Sequence, residues 1–461
     1  MRIENLAKSG NWWLPDKKER RFYGELTFNQ IEGAILILSD TLDNLYDFPS
    51  NNEDFIILGD LIEERKEEDK HSAKVSVWVS FVTNRQQKIG VSENSVKIVL
   101  RLKYIFLGAH IEDKNIKFEK IATSYSNLDH WISAIHDLNP ERLPDRTIYT
   151  SPTITVNEKC KIQITSSPTF YRENSKPIRE DNIQFVIESL GNKSFGNYLE
   201  LVGRVHDFLN FTVIKSVEIK SFEGLIDQGS VSIPTKILFH TYITEKMHKL
   251  EIKSRSLFLY SEIADRLEYY LNNWFRLYTE NKVIMDLYFG VIYNTQLYLS
   301  SNFLMLFTAL EVYHAAFLNK NSSKAKQKAS FFRSYNDVID KSNLSKNYKE
   351  EFKKWAKHRG RLVAKEKIEE IYQQFHDILP LLSTKIGEKN DFIDKIVHYR
   401  NKLTHGSETL IMTEDNDLFW QYKNLQLILQ LCILSRLGFD NEKIKKIYYL
   451  DKITRSQKSS S

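Results

Sequence analysis

The residues best suited to chemistry lie in one short stretch, Arg400-Asn401-Lys402-Leu403-Thr404-His405. Arg400 is a permanent cation whose guanidinium donates paired hydrogen bonds to phosphate. His405 has an ordinary pKa of about 6.5, so its imidazole can accept or donate a proton near neutral pH. Together they could cleave an RNA phosphodiester without a metal ion. Asn401 could position the phosphate or the His405 ring without adding charge.

The spacing of these two residues poses a geometric problem. In an ideal α-helix, five residues correspond to a rotation of about 140°, so Arg400 and His405 would face different sides. Gly406 could loosen the last turn as a left-handed C-cap. Alternatively, two copies of the helix could meet in a symmetric dimer and pool both pairs in one cleft. Arg and His near a helix end also complement the helix dipole, and His398 could pack or cap inside the same helix.

The composition sets the broad class of the protein. The 461 residues suggest two to three domains, with an ordinary globular share of hydrophobic and charged residues. The N-terminus is too polar for a signal peptide, and the absence of an apolar run of eighteen residues predicts no membrane span. The only cysteines, Cys160 and Cys432, exclude a cysteine-rich zinc site or a disulfide scaffold. We therefore expect a cytoplasmic protein.

The positive charge of the chain is concentrated in one segment. Residues 320–370 contain fifteen Lys or Arg and seven Asp or Glu, an excess of eight, while the whole chain has a formal charge of only +5. A cationic surface attracts polyphosphates without regard to sequence. Alternatively, these basic residues could simply lie on solvated helix faces without binding a polyphosphate. Within this segment, Lys324, Lys326 and Lys328 could follow an RNA backbone or lie in a solvated loop.

The hydrophobic pattern changes between the two halves, which predicts an α+β protein. Short apolar or alternating segments indicate strands in the first half: 22–28, 34–38, 55–58, 74–82, 96–107, 153–156, 161–164 and 183–187. Many short strands without long helices between them predict an antiparallel sandwich or barrel-like domain. Helical spacing begins near residue 256 and indicates these helices: 256–271, 303–317, 365–379, 386–404 and 418–437. We assign residues 1–250 to a β-rich domain and 251–461 to a helical bundle.

Several segments together resemble a known family. The stretch from Arg400 to Gly406 resembles the Arg-x4-6-His motif of HEPN domains, and the apolar helix at 303–317 resembles their first helix. Residues of the first half resemble the N-terminal domain of the ApeA family: Gly10-Asn11-Trp12-Trp13-Leu14-Pro15, 24–28, 33–38 and Asn127-Leu128-Asp129-His130-Trp131. The resemblance covers both halves of the chain.

This resemblance carries functional expectations. ApeA-like proteins are antiphage effectors that act by abortive infection, and HEPN ribonucleases are metal-independent, dimerise through the helices that carry the motif and leave a 2′,3′-cyclic phosphate. The resemblance implies that Arg400 and His405 are catalytic, supported by Asn401, and that the partners are RNA (tRNA or another structured RNA), a second copy and a phage-derived trigger. It also implies a sensing or regulatory N-terminal domain that could hold a toxin-like HEPN domain inactive. The alternative is a non-catalytic HEPN scaffold that binds RNA or a partner.

Other residues could also form sites. Trp12 and Trp13 could form a recognition surface, but such aromatics are more often core anchors. Glu311 could belong to the active site or be a carboxylate bonded to a neighbouring helix. The chain has no glycine-rich phosphate loop before a helix, which argues against an ATP- or GTP-driven machine. The histidines are scattered, so we predict no metal site and no cofactor.

Overall fold

The computed structural model describes residues 5–29, 32–41, 54–62, 73–89, 94–126, 128–132, 149–173, 176–213, 217–227, 231–240, 256–294, 296–382, 389–405 and 414–448. The chain divides into two compact units, Met1–Glu268 and Tyr269–Ser461. The boundary predicted at residues 250 and 251 lies outside the described residues.

The N-terminal unit is built from antiparallel strands, as predicted. Thirteen strands are described, in chain order: β1 (Asn5–Trp13), β2 (Phe22–Asn29), β3 (Gly33–Thr41), β4 (Phe55–Leu61), β5 (Ala73–Ile89), β6 (Asn94–Leu107), β7 (Phe118–Tyr125), β8 (Tyr149–Thr150), β9 (Ile154–Val156), β10 (Cys160–Glu173), β11 (Lys176–Ser189), β12 (Ile219–Asp227) and β13 (Ser232–Leu238). Two helices are described beside them, α1 (Leu128–Ile132) and α2 (Phe195–Thr212).

The first six strands close into a barrel. Their pairing order is β1-β2-β3-β6-β5-β4, and β4 returns to β1. Alternate side chains fill the interior; along β2, for example, Phe22, Leu26 and Phe28 are buried, whereas Tyr23 and Glu25 are exposed. Closure leaves these strands without a free sheet edge over the paired residues.

The barrel continues into a second sheet through β6. The N-terminal part of β6 pairs with β3, whereas Ile105–Leu107 pair with β13 on the same edge. From there the order is β13-β12-β7-β11-β10-β8, and β9 also pairs with β10. The ring of Phe195, at the start of α2, packs edge-on against Tyr104 and Phe106 of β6.

Helix α2 was not expected from the sequence, and the prediction of a first half without long helices is wrong at this point. Ser194 caps the helix, because its side chain accepts a hydrogen bond from the backbone N–H of Asn197 at 3.3 Å. Its buried residues recur at helical spacing, among them Leu201, Val205 and Phe208. This spacing was the signal that should have indicated a helix.

Trp12 is a core anchor of the barrel, as favoured above. Its ring is completely buried, and its indole N–H donates to the carbonyl oxygen of Gly24 at 3.3 Å. The ring lies directly over Gly59, where an added Cβ would meet it at 2.4 Å. Trp13 is also buried, with the guanidinium of Arg21 3.5 Å above its ring. Neither tryptophan provides an open recognition surface within this unit.

The second half is a helical bundle, as predicted. The described helices are α3 (Leu267–Glu280), α4 (Lys282–Tyr293), α5 (Leu299–Tyr313), α6 (Ser323–Lys341), α7 (Lys346–Arg359), α8 (Ala364–Gln374), α9 (Leu379–Leu382), α10 (Lys389–His405) and α11 (Glu414–Leu437). The helix predicted at 256–271 is wrong in its first half, where two 3₁₀ turns, Tyr260–Glu262 and Ala264–Arg266, precede α3. Gly438 follows α11 with a φ of +101°, the left-handed conformation expected of a C-cap glycine.

Helix α5 is the central element of the bundle. It packs against α4, α8, α10 and α11 and continues into a π-helical turn, His314–Leu318. By length and composition alone, the stretch Leu299–Leu318 could cross a membrane. The core helix of a folded bundle passes the same test, so this stretch gives only weak support for a membrane span.

The contact between Trp12 and Gly59 should control the stability of the barrel. We expect Gly59→Ala to lower the free energy of unfolding by about 2 kcal/mol, because the new methyl group must displace a fully buried ring. Gly203→Ala is the matched control. No atom lies within 4 Å of a Cβ added at Gly203, so this helix substitution should stabilise by about 0.5–1 kcal/mol. Denaturant titration compares the two variants, and equal effects would contradict the packing argument.

Candidate functional site on helix α10

Helix α10 is held by one apolar face. Phe392, Ile393, Ile396 and Tyr399 are buried and recur at the three- to four-residue spacing of one helix side. The Phe392 ring lies 6.3 Å from Tyr372 of α8, and the Tyr399 ring lies 6.2 Å from Phe303 of α5. This packing fixes the rotation of the helix about its axis and therefore fixes which positions face outward.

The last turns of α10 are tied to the start of α11. The hydroxyl of Tyr399 donates a hydrogen bond to Oδ2 of Asp417 at 2.8 Å. The other carboxylate oxygen of Asp417 accepts from the side-chain amide of Gln421 at 3.3 Å. Hydrogen bonds to a carboxylate are stronger than those between neutral groups, which applies to the bond from Tyr399 to Asp417. Tyr399 directly precedes Arg400, so this contact holds the backbone from which Arg400 projects.

Arg400 and Asn401 are in contact. Nη1 of Arg400 donates to Oδ1 of Asn401 at 3.2 Å; Arg400 is half-buried and Asn401 is exposed. The hydroxyl of Thr404 lies 2.8 Å from the carbonyl oxygen of Arg400 and 3.2 Å from that of Asn401. Thr404 therefore bonds back to the preceding turn of its own helix, as Thr side chains often do.

The helix remains α-helical through His405. Positions 400 and 405 therefore keep the separation of about 140° around the axis, and this structure does not show the loosened last turn considered above. Position 401 lies between them, about 100° from position 400. The side chain of His405 and all of Gly406 lie outside the described part of the structure.

His398 is exposed, which argues against the possibility that it packs inside the bundle. Its ring lies 6.0 Å from the ring of the adjacent Tyr399. Position 398 is seven residues before position 405, so both lie within about 20° of one another around the helix. An exposed histidine thus already marks the side of α10 on which position 405 lies.

Glu311 of α5 is joined to a neighbouring helix. Its Oε1 lies 2.8 Å from Nζ of Lys367 on α8, and its side chain is 22% exposed. Among the described contacts, none joins Glu311 to Arg400 or Asn401. This favours the second of the two roles considered for Glu311, a carboxylate that links two helices.

Lys324, Lys326 and Lys328 belong to α6, so the alternative of a solvated loop is wrong. Nζ of Lys324 lies 2.8 Å from Glu369, and Nζ of Lys328 lies 2.6 Å from Glu366. Burial acts to raise the pKa of Glu366, but hydrogen bonds from Lys328 and the backbone N–H of Val363 outweigh it and hold the pKa below its ordinary value. These contacts fasten α6 to α8.

The described residues contain no group of three or more His, Cys, Asp or Glu side chains that could hold a metal ion. Arg400, Asn401 and the helix end instead present a guanidinium and an amide. Such groups donate hydrogen bonds to anionic oxygens, which suits phosphate recognition.

Comparison with known proteins identifies the family. A family model described as ApeA N-terminal domain 1 matches residues 7–274, more than half of the chain. The chain belongs to the ApeA family. In this ApeA-family protein, a second model, described as Apea-like HEPN, matches residues 304–443, which include α10. The two matches indicate an antiphage defence protein with a HEPN domain, a domain type that generally has nuclease function. No curated protein and no solved structure matches the chain.

The sequence did not indicate Tyr399 and Asp417 as positioning residues. Tyr399 is readable as a member of the apolar face of α10, since it lies three residues after Ile396. The sequence does not predict the partner of Tyr399, because Asp417 lies eighteen residues further along the chain in the next helix. Only the folded arrangement brings the two together.

Tyr399→Phe should destabilise the HEPN domain by about 1–2 kcal/mol. The substitution keeps the ring packing and removes only the hydrogen bond to the Asp417 carboxylate. Tyr298→Phe provides the control, because Tyr298 is 82% exposed and its substitution should not change the stability of the domain. The measurement is the shift of the thermal unfolding transition. Identical transitions for both variants would show that the hydrogen bond does not stabilise this helix end.

Proposed function

We propose that this ApeA-family protein is a metal-independent endoribonuclease that cuts RNA, with tRNA or another structured RNA as substrate, and thereby causes abortive infection. The catalytic residues of the proposal are Arg400 and His405, and Asn401 supports them. The observation that carries it is the sequence Arg400-Asn401-x3-His405 at the end of an anchored helix within the matched HEPN segment.

The proposed reaction is an internal transfer at phosphorus. A base removes the proton of the 2′-hydroxyl, and the 2′-oxygen attacks the adjacent phosphorus. The bond to the 5′-oxygen breaks, and an acid gives that oxygen a proton. The products are a 2′,3′-cyclic phosphate and a free 5′-hydroxyl. Arg400 would stabilise the negative charge that develops on the phosphoryl oxygens.

The two proton transfers favour a site shared by two copies. One transfer needs a neutral imidazole and the other a protonated one, on opposite sides of the phosphorus. Two copies of α10 that face one another would supply two His405 side chains and two Arg400 side chains to one cleft. The exposed Asn401 would then orient the phosphate through its contact with Arg400. The functional unit of the proposal is a homodimer.

The proposal assigns a regulatory role to the N-terminal β-rich unit. It would sense a phage-derived trigger and otherwise restrain the HEPN domain in the cytoplasm. Expression of residues 251–461 alone tests this role: a restrained HEPN domain becomes toxic when the first half is removed. Equal growth with the full chain and the truncated chain, at equal protein levels, would contradict it.

Cleavage should depend on both motif residues. With total cellular RNA and excess EDTA, we expect His405→Ala and Arg400→Ala each to lower the cleavage rate at least about 100-fold while the fold is retained. His398→Ala is the matched control, since it removes an exposed histidine from the same helix. New RNA ends should carry a cyclic phosphate. Intact RNA with the wild-type protein under all triggers, or equal cleavage by His405→Ala, would leave the non-catalytic scaffold as the function.

A shared cleft predicts complementation between the two inactive variants. The Arg400→Ala copy still carries His405, and the His405→Ala copy still carries Arg400. A heterodimer purified with two different affinity tags retains one imidazole and one guanidinium, from different copies, so it should cleave RNA faster than either homodimer but more slowly than the wild type. A heterodimer no more active than the two homodimers would contradict the shared cleft.

A further inference from the structure

Helices α6 and α7 form a helical hairpin with little buried surface. Ile339 and Ala356 are its only buried residues among those described. The hairpin is attached at its base: the side chain of Ser322, which caps α6, donates to Glu370 at 2.5 Å. Together with the pairs from Lys324 and Lys328 to α8, this contact fixes the hairpin to the bundle.

One side of this hairpin is an exposed aromatic face. Phe331, Tyr335 and Val338 of α6 recur at positions i, i+4 and i+7, and Tyr348, Phe352 and Trp355 of α7 do the same. The ring of Tyr335 joins the two rows, since it lies 6.0 Å from Phe331 and 5.8 Å from Trp355. Four of the rings are largely exposed: Phe331 (56%), Tyr348 (60%), Phe352 (42%) and Trp355 (50%).

The same hairpin is strongly cationic. Residues 323–359 contain eleven Lys or Arg and four Asp or Glu, a formal charge of +7. Several of the cations are exposed: Lys326, Lys341, Lys346, Lys354 and Lys357. The hairpin of a second copy would carry the same charge, so like charges oppose the contact of two aromatic faces. The charge favours a polyanion as the occupant.

We propose that the aromatic face of the hairpin binds single-stranded RNA. Every nucleobase offers a flat π-surface that stacks on Phe, Tyr or Trp, while lysines contact the phosphates. Bases in a duplex are already stacked on each other, so an unpaired segment fits this face better. The choice of RNA over DNA rests on the proposed ribonuclease function. The evidence for a stacking face and for basic charge is independent of that proposed function.

The position of the hairpin relates this face to α10. Helix α8 receives the hairpin through Glu366, Glu369 and Glu370, and the same helix packs against α10. Lys365 of α8 also pairs with Asp394 of α10 at 2.5 Å. An RNA strand held on the hairpin is therefore held on the helical unit that carries Arg400. The hairpin would serve as a docking surface for the unpaired part of a structured substrate.

Binding measurements in the full-length His405→Ala background test the proposal without cleavage. The probes are a fluorescein-labelled single-stranded RNA of about 20 nucleotides, the same sequence as a duplex, and anionic lipid vesicles. We expect the double variant Phe352→Ala/Trp355→Ala to weaken single-strand binding at least about tenfold, and Phe352→Tyr/Trp355→Phe, which keeps the stacking surfaces, to bind within about threefold of the parent. Tyr298→Ala removes an exposed aromatic elsewhere and should change nothing.

The charges give a second readout. Lys354→Gln/Lys357→Gln should reduce the slope of the logarithm of the binding constant against the logarithm of salt concentration by about one. Single-strand binding by Phe352→Ala/Trp355→Ala that equals the parent overturns the proposal, as does a preference for the duplex or for vesicles. Aromatic-dependent binding without cleavage by the wild type would overturn the ribonuclease proposal and leave the docking surface standing. Cleavage that depends on Arg400 and His405, without binding that depends on the aromatic residues, would overturn the docking surface and leave the ribonuclease proposal standing.

Discussion

The regular helical path of α10 through His405 is the constraint on which the candidate site depends. A continuous helix cannot bring positions 400 and 405 to one side, and the buried face formed by Phe392, Ile396 and Tyr399 prevents the helix from rotating to compensate. In the proposed homodimer, this separation would let each copy offer its cation and its imidazole from different directions around one phosphate.

Helix α8 connects the elements that matter for this site. Its apolar residues pack against α10, its acidic residues hold the base of the hairpin, and Lys367 reaches Glu311 of α5. These roles occupy different sides of a helix of only eleven residues. The ionic contacts are partly exposed, so each contributes modestly by itself. Their joint effect is to fix one orientation of the hairpin and of α10 within the same domain.

The sequence predicted elements with a clear hydrophobic period and missed those whose signal was weaker or non-local. The alternation of apolar and polar residues predicted most barrel strands. The helical spacing of apolar residues predicted α10, and the glycine after α11 predicted where that helix ends. The helical recurrence of apolar residues in α2 is a weaker signal than the alternation of the strands on both sides of it. Periodicity alone predicts a helix before Leu267, but only short 3₁₀ turns form there. The contacts of Tyr399 with Asp417 and of Lys328 with Glu366 join residues far apart in sequence, and no local pattern specifies them.

Strand β6 belongs to two structures at once, since it closes the barrel with β3 and begins the second sheet with β13. Neither structure can therefore lose its order without removing hydrogen-bond partners from the other. The N-terminal unit should melt in a single step, with no state in which a folded barrel carries an unfolded sheet. A molecule that binds to either part would consequently stabilise both, by the same amount of free energy. A shared strand is thus enough to make a large β-rich unit respond as one body.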